Sequence, residues 1–470
     1  MLFNSFIFWA FFALVIILYW RLDHKRQNVL LLVASYVFYG YWDWRFLSLI
    51  VISTLVDFTV AQRVESNTDQ FVKRRWLLLS VFTNLGLLGF FKYFGFFVEE
   101  FAVIVEAMGL NASIPTLNII LPVGISFYTF QTLSYTIDVY RGVTKPTRNL
   151  LDFGVYVSFF PQLVAGPIER SKDLMPQILK PRKLDKGAFS EGLYHVLFGM
   201  FKKVVIADNM APIVDRVFST PTAELASTEI LFGIYAFSIQ IYCDFSGYSS
   251  IAQGIAKWLG INLSWNFKMP YFSRTPSEFW QRWHITLSSW LRDYLYISLG
   301  GNRFGTTKTI RNLVLTMGLG GLWHGANWTF IAWGLMHGGI LVAYHAAENA
   351  GLAIKQTKGL VRILSMVIFF HLVCITWIYF RADSLGQAND LLSALIGTYQ
   401  FSDFSLYILG MLAFFSLPML VLEQRIERSG NMLYVLGLRW PIRAALYSYF
   451  VFMLMVFPPL TPQVFVYFQF

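Results

Sequence analysis

The sequence predicts an all-α polytopic membrane protein, with roughly ten or eleven transmembrane helices and short re-entrant and amphipathic helices between them. Of its 470 residues, 56% are hydrophobic and only 14% are charged, whereas soluble domains carry about 25% charged residues. Apolar segments of spanning length recur from end to end. Because we find no internal repeat and no long linker, we expect one membrane domain over residues 1–470.

The distribution of charge predicts the topology. The net charge of +10 comes from basic residues in short loops between apolar segments, which is typical of cytoplasmic loops rather than of a nucleic-acid-binding surface. Residues 3–20 are apolar, with no charge before them and the basic stretch 21–26 after them. A secretory signal has the opposite arrangement. We therefore expect an uncleaved first span with the N-terminus outside.

The other apolar segments follow in order. They lie at residues 29–41, 46–60, 76–91, 117–140, 189–206, 230–258, 313–322, 328–345, 363–380, 406–422 and 444–457. Segment 313–322 is too short for a full span, so that with the first span we predict roughly ten or eleven spans.

One further apolar segment, residues 153–168, does not fit the alternation. It is short, it is interrupted by Pro161 and by Gly166-Pro167, and basic loops flank it on both sides. A full span needs about 20 residues, so we predict a re-entrant element with both flanks in the cytoplasm. The alternative is an ordinary span with a kink.

The stretch that begins at Thr275 combines a helix-start signal with a line of polar side chains. The T-P-S-E sequence at 275–278 is a capping box with proline at the first helical position, which predicts one helix from Thr275 to about Ser298. Gln281, His284, Ser288 and Arg292 then recur at three- and four-residue steps and would share one face. Polar residues at membrane depth line something polar. His284 is therefore a catalytic candidate, and the alternative is a structural histidine bonded within the line.

His324 is the stronger candidate. Glycines at 318, 320, 321 and 325 surround it, and we expect them to bend the backbone there. Asn327 is predicted to cap the next helix, which would place His324 before a helix N-terminus, where the macrodipole disfavours the imidazolium. A neutral histidine can act as a general base. The alternative is a packing histidine at a tight helix break.

Other polar residues complete the set of candidates. We predict that Asp244, Asp293, Trp323 and Asn327 line the substrate path together with the polar line. Asp57 is expected to pin helices by hydrogen bonds. The two cysteines, Cys243 and Cys374, give no disulfide framework, and the seven histidines show no metal-ligand spacing. We therefore expect no metal and no bound cofactor.

Five motifs resemble those of the membrane-bound O-acyltransferase family, in particular its bacterial branch that acetylates alginate or peptidoglycan. They are L-P-V-G-I-S-F-Y-T-F-Q (121–131), D-V-Y-R-G (138–142), A-G-P-I-E-R (165–170), the stretch 275–303, and G-G-L-W-H-G-A-N (320–327). The resemblance implies a bundle of about eleven helices around a funnel. It also implies that His324 is the essential histidine and His284 the second, more variable one.

The activity implied by this resemblance is acyl transfer across the bacterial inner membrane. A thioester donor, acetyl-CoA, would enter from the cytoplasm, and a hydroxyl acceptor would arrive from outside, so that two cavities meet near His324. The resemblance further implies a secreted or periplasmic SGNH-type partner and a polysaccharide acceptor. Two alternatives stay open: transfer of another acyl group, such as D-alanine to teichoic acid, and a transporter with a polar site at the midplane.

Overall fold

The structure of the protein is a computed structural model, which describes residues 1–110, 119–164, 166–352, 359–459, 463 and 465–466. The start of the predicted span 117–140 and residue 165 lie outside these ranges. The described residues form helices and loops and contain no β-strand.

In chain order, the α-helices are α1 (Phe6–Tyr19), α2 (His24–Asp43), α3 (Leu47–Ser66), α4 (Gln70–Leu88), α5 (Phe94–Ala107), α6 (Ile125–Tyr140), α7 (Leu150–Ser158), α8 (Phe160–Leu163), α9 (Ser171–Leu179), α10 (Lys186–Met200), α11 (Asp208–Ser219), α12 (Ser227–Trp258), α13 (Pro276–Trp280), α14 (Ile285–Trp290), α15 (Thr306–His324), α16 (Trp328–Asn349), α17 (Gly359–Arg381), α18 (Leu385–Ala394), α19 (Asp403–Ser429) and α20 (Trp440–Val456). Wider π-helical turns continue three of them, at Gly89–Tyr93, Phe201–Ala207 and Leu291–Tyr296.

The predicted class, an all-α multi-pass membrane protein, is confirmed. Within the described ranges, six helical stretches are long and apolar enough to cross a bilayer: His24–Ser66, Gln70–Ala107, Ser227–Trp258, Trp328–Asn349, Gly359–Arg381 and Asp403–Ser429. Two shorter apolar helices, Phe6–Tyr19 and Trp440–Val456, accompany them. The total of ten or eleven spans stays a prediction.

The described chain divides into two compact units. One comprises Met1–Gly192 and Ile255–Ser264, and the other comprises Leu193–Gly254 and Trp265–Phe470. Every candidate site residue of the sequence analysis belongs to the second unit. That the whole chain is one domain stays a prediction.

In the first unit, Asp57 holds three helices together. Its fully buried carboxylate accepts hydrogen bonds from Asn84 Nδ2 at 2.8 Å, from Thr136 Oγ1 at 3.2 Å and from the Ser80 hydroxyl. These donors belong to α4 and α6, while Asp57 belongs to α3. Because a buried carboxylate is stable only when its oxygens are hydrogen-bonded, the predicted pinning role of Asp57 is confirmed.

The predicted re-entrant segment 153–168 is built of short pieces. Helix α7 has nine residues and α8 has four, with a break at Phe159 between them. A nine-residue helix is about 13 Å long, less than half the roughly 30 Å thickness of the hydrocarbon core. The segment therefore lacks a helix of spanning length, and the side on which its flanks lie stays a prediction.

In the second unit, α15 and α16 form a tight hairpin. A Cβ atom on Gly321 would lie 2.2 Å from the carbonyl oxygen of Phe330, and one on Gly334 would lie 2.3 Å from that of Met317. The two backbones therefore touch directly, at positions where only glycine fits. The expected bend occurs at Gly325, where α15 ends directly after His324, but α15 runs unbroken for 19 residues through Gly318, Gly320 and Gly321. These glycines allow close packing instead.

The predicted single helix from Thr275 to about Ser298 is also wrong. Thr275 does cap α13, accepting a hydrogen bond from the backbone N–H of Glu278 at 3.1 Å. The helix stops at Trp280 and restarts at Ile285, because His284 adopts a left-handed backbone conformation with φ +42°. This conformation costs a residue other than glycine roughly 1–2 kcal/mol.

Candidate functional site

His324 lies in an aromatic enclosure at the end of α15. Its ring centroid is 5.0 Å from that of Trp333, 5.3 Å from that of Phe380 and 5.0 Å from that of Trp323. All three contacts are edge-to-face, and the side chain is 5% exposed. The enclosure fixes the plane of the imidazole.

The imidazole borders a cavity of about 230 Å³. The wall is mostly apolar, and two members of the predicted polar line, Ser288 and Arg292, contribute to it. The complete lining is Trp280, Leu287, Ser288, Leu291, Arg292, Tyr296, Leu313, Thr316, Met317, Gly320, His324, Trp333 and Leu341. A concave, largely apolar pocket with a few convergent polar groups is the usual form of a small-molecule site.

The helix-dipole argument for His324 is wrong. His324 is the last residue of α15, and residues 325–327 separate it from α16. At the carbonyl end of a helix the macrodipole favours a cation, so its sign is opposite to the one expected. The predicted cap is confirmed, because the Asn327 side chain accepts the backbone N–H of Thr329 at 3.0 Å.

His284 is fully buried and is held by an amide. Its Nδ1 lies 3.1 Å from Asn266 Oδ1, which also accepts hydrogen bonds from the backbone N–H and the hydroxyl of Thr286 at 3.3 and 3.0 Å. Because an amide oxygen can only accept, Nδ1 carries the proton. In the neutral ring Nε2 is then the basic nitrogen. Burial lowers the pKa of His284 to about 3, so the neutral form predominates near pH 7.

Trp323 lies between the two histidines. Its ring centroid is 6.1 Å from that of His284 and 5.0 Å from that of His324. The structure therefore places both predicted histidines and Trp323 in one continuous ring cluster. Their chemical roles stay predictions.

The predicted polar line does not exist as a continuous face. The break at His284 separates Gln281 from Ser288 and Arg292, and Gln281 is exposed to solvent. Arg292 pairs with the neighbouring Asp293 at 2.7 Å, and its side chain remains 62% exposed. Gln281 and Asp293 do not border the cavity that reaches His324.

Asp244 belongs to a different cluster. Its carboxylate lies 2.6 Å from Lys203 Nζ, which also pairs with Asp208 at 2.8 Å, and its second oxygen accepts the backbone N–H of Val466 at 2.7 Å. All three side chains are almost completely buried. Asp244 does not line the cavity of His324, and its contacts indicate a structural role.

Sequence analysis missed several polar groups around a second, smaller cavity of about 30 Å³. Lys202, Ser246, Ser249, Asn266 and Glu423 all border it. The polar break at 240–250 within an apolar segment could have drawn attention to the two serines. Asn266 lies in a loop, and the sequence around it contains no motif that would indicate a functional residue. The two cavities share no lining residue, so the meeting of two cavities at His324 stays a prediction.

No group of three or more His, Cys, Asp or Glu side chains in the described part of the chain could hold a metal ion. Cys243 and Cys374 are both buried thiols. Cys243 lies against Met419, with 3.3 Å between the two sulfur atoms.

The chain is similar to known proteins over most of its length. Residues 44–379 match the membrane-bound O-acyltransferase family. The chain is 44% identical over 411 residues to a probable alginate O-acetylase of Azotobacter vinelandii, covering 86% of this chain and 79% of the relative. It is 37% identical over 429 residues to the peptidoglycan O-acetyltransferase of Helicobacter pylori, with 84% and 80% covered.

A more distant similarity concerns another acyl group. The teichoic acid D-alanyltransferase of Bacillus subtilis is 29% identical over 276 residues, which cover 55% of this chain and 68% of that protein.

Proposed function

The chain belongs to the membrane-bound O-acyltransferase family, and on that premise we propose that it moves an acetyl group from a cytoplasmic thioester across the membrane for O-acetylation of a secreted or cell-wall polysaccharide. The O-acetyltransferases among its relatives match it over a larger share of its length, and at higher identity, than the D-alanyltransferase does. Acetate is therefore favoured over D-alanine, and an enzyme over a transporter. An alginate-like exopolysaccharide is the favoured acceptor.

The observation that carries this proposal is the position of His324. It is a buried imidazole, oriented by three aromatic rings, on the wall of an otherwise mostly apolar cavity. The acetyl thioester is a small and largely apolar group and suits such a wall. Arg292 is the cationic member of the lining, and a guanidinium is well shaped to bind a donor phosphate.

In the proposed reaction, the imidazole of His324 takes the proton from the acceptor hydroxyl. That oxygen attacks the thioester carbonyl carbon, the carbon–sulfur bond breaks, and the departing thiolate recovers the proton from the imidazolium. No acyl-enzyme is needed, and neither thiol suits one: Cys243 and Cys374 are both buried. Of the two predicted roles of His284, we propose that it positions the acceptor, because its neutral Nε2 can accept a hydrogen bond from the acceptor hydroxyl, whereas stabilising an oxyanion would need a donor.

The setting of the reaction is also part of the proposal. We expect the protein in the bacterial inner membrane with its N-terminus outside, acetyl-CoA as the donor, and a secreted or periplasmic SGNH-type partner that completes transfer to the polysaccharide. The basic loops would attract the donor on the cytoplasmic side.

The test is the replacement of His324 by alanine. In membranes supplied with radiolabelled acetyl-CoA, His324→Ala should lower acetyl transfer by about 10²–10⁴-fold while the protein still inserts and purifies as a folded species. The matched control is His345→Ala, because His345 lies near the other end of α16 and contacts Asn349 rather than the cavity. Wild-type transfer in His324→Ala would reject the mechanism.

A further inference from the structure

The smaller cavity is bordered by buried polar groups that lack partners. Ser246 Oγ, Ser249 Oγ and Asn266 Nδ2 are buried and make no hydrogen bond within the described residues. The three residues are between 1% and 3% exposed. Buried polar groups in proteins are almost always hydrogen-bonded, to protein or to water. Three buried polar atoms without hydrogen bonds around one cavity therefore indicate that the cavity holds a hydrogen-bonding molecule.

The charge of the lining restricts what that occupant can be. The ammonium of Lys202 lies 4.5 Å from the ring centroid of Phe198 and 5.8 Å from that of Tyr242. It borders the same cavity as the carboxylate of Glu423, whose Oε1 accepts the Tyr242 hydroxyl at 2.6 Å. The ammonium would repel a metal ion and the carboxylate would repel an anion. A neutral occupant that both donates and accepts hydrogen bonds fits this wall.

The size of the cavity restricts it further. A water molecule needs roughly 10–15 Å³ of cavity volume. A cavity of about 30 Å³ therefore has room for about two water molecules. We propose that this cavity is a built water site, in which about two ordered water molecules complete the hydrogen bonds of Ser246, Ser249 and Asn266 beside the ammonium of Lys202.

This site supports the second histidine. The amide of Asn266 has its oxygen committed to His284 and Thr286, while its nitrogen belongs to the unpartnered set of the cavity wall. Water on the nitrogen side makes this the only orientation in which both ends of the amide are satisfied. The water therefore keeps the imidazole of His284 in place through Asn266. This inference does not depend on the proposed acetyl transfer.

The sign of a stability change tests the site. If the cavity holds water, Ser246→Ala and Ser249→Ala each remove a satisfied hydrogen bond and should lower the midpoint of thermal unfolding by roughly 1–2 °C. If the cavity is dry, each substitution removes an unsatisfied buried hydroxyl and the midpoint should rise. The control is Ser238→Ala on the same helix, because that hydroxyl already donates to the Ile234 carbonyl at 2.9 Å and lies outside the cavity. Ser238→Ala should lower the midpoint in either case.

A direct observation complements this measurement. A cryo-electron microscopy map of the full chain in a lipid nanodisc, at a resolution that shows ordered water, should contain density about 3 Å from Ser246 Oγ and from Asn266 Nδ2. The Ser246→Ala/Ser249→Ala double variant should lose part of it. An empty cavity, or a raised or unchanged midpoint in both single variants, would overturn the proposal.

Discussion

At the scale of single residues, His284 is held more firmly than its position in the sequence suggests. It adopts φ +42° and is fully buried. On either side of it, the backbone N–H of Lys268 donates to the carbonyl oxygen of Arg282 at 2.9 Å, and the backbone N–H of Ile285 donates to the backbone carbonyl oxygen of Asn266 at 2.9 Å. These bonds offset the cost of the left-handed conformation. Backbone strain maintained in this way is common at functional sites.

The contact between His284 and Asn266 predicts a change in pH dependence. Burial lowers the pKa of His284 to about 3, so a neutral ring is available at all physiological pH values. Asn266→Asp keeps the accepting oxygen but adds a negative charge at 3.1 Å, which raises the pKa of the ring. If neutral His284 takes part in transfer, the acid limb of the rate profile should move up by about 1–3 pH units.

The measurement is acetyl transfer between about pH 4 and pH 8, with Thr286→Val as the control. The acid limb due to His284 lies below this range in the wild type, at about pH 3, and should enter it in Asn266→Asp. Thr286→Val removes one hydrogen bond to the same amide oxygen without adding charge, so it should leave the acid limb in place. An unmoved acid limb in folded Asn266→Asp would mean that His284 is structural only.

Stability should show a related dependence on pH. The pKa of His284 is about 3 in the folded protein and about 6.5 in an unfolded chain. Between these two values the unfolded chain binds a proton that the folded protein does not, so the free energy of unfolding should be unaffected by His284 above about pH 6.5 and should fall as the pH drops from there toward 3.

At the scale of elements, the hairpin of α15 and α16 depends on two glycines. Gly321→Ala would put a methyl group 2.2 Å from the Phe330 carbonyl oxygen. Since a rigid backbone cannot give way, we expect a loss of roughly 1–3 kcal/mol of stability, together with displacement of His324 and reduced transfer. The measurement is thermal unfolding of the purified protein, combined with acetyl transfer in membranes.

Gly339→Ala is the matched control for this hairpin. A Cβ atom on Gly339 has no neighbour within 4 Å, although Gly339 lies on α16, the helix that packs against Gly321. Alanine there should be neutral or stabilise by up to about 1 kcal/mol through helix propensity. Equal losses from the two substitutions would contradict the packing role of Gly321.

Helix caps were easier to predict from the local sequence than the helix break at His284. The caps at Thr275 and Asn327 were predicted correctly because a cap depends on residues within one turn. The break at His284 was not, because the residues after Thr275 keep a helical period, and positive φ is uncommon even for histidine, although histidine adopts it more often than most residues do. What stabilises the break is Asn266, which lies 18 residues earlier. A contact between residues so far apart in the chain cannot be predicted from the hydrophobic pattern of one helix.

At the scale of the whole molecule, composition alone predicted the class, because the fraction of charged residues is 14%, well below the roughly 25% of soluble domains. The motifs then predicted the family and singled out both histidines, which the structure places in one cluster of rings. The second cavity escaped prediction because it gathers residues from α12, α19, the loop after α12 and the turn after α10. Only the folded chain brings these segments together.

The predicted topology can be tested by labelling. Lys145→Cys and Lys183→Cys place single thiols on the two exposed flanks of the 153–168 segment, in a background where the buried Cys243 and Cys374 are replaced by alanine. Both thiols should react with an impermeant maleimide only from the cytoplasmic side. Periplasmic labelling of just one of them would show that 153–168 crosses the membrane.

The buried cluster of Lys203 and Asp244 has a consequence for biogenesis. Lys203 precedes Asp244 in the chain, so the ammonium is synthesised before the carboxylate that it neutralises. The second oxygen of that carboxylate must wait for the backbone N–H of Val466, which follows 222 residues later. At about 5–20 residues per second, translation leaves this oxygen without its final donor for roughly 10–40 seconds. The hydrogen bonding of this buried carboxylate can therefore be completed only late in the synthesis of the chain.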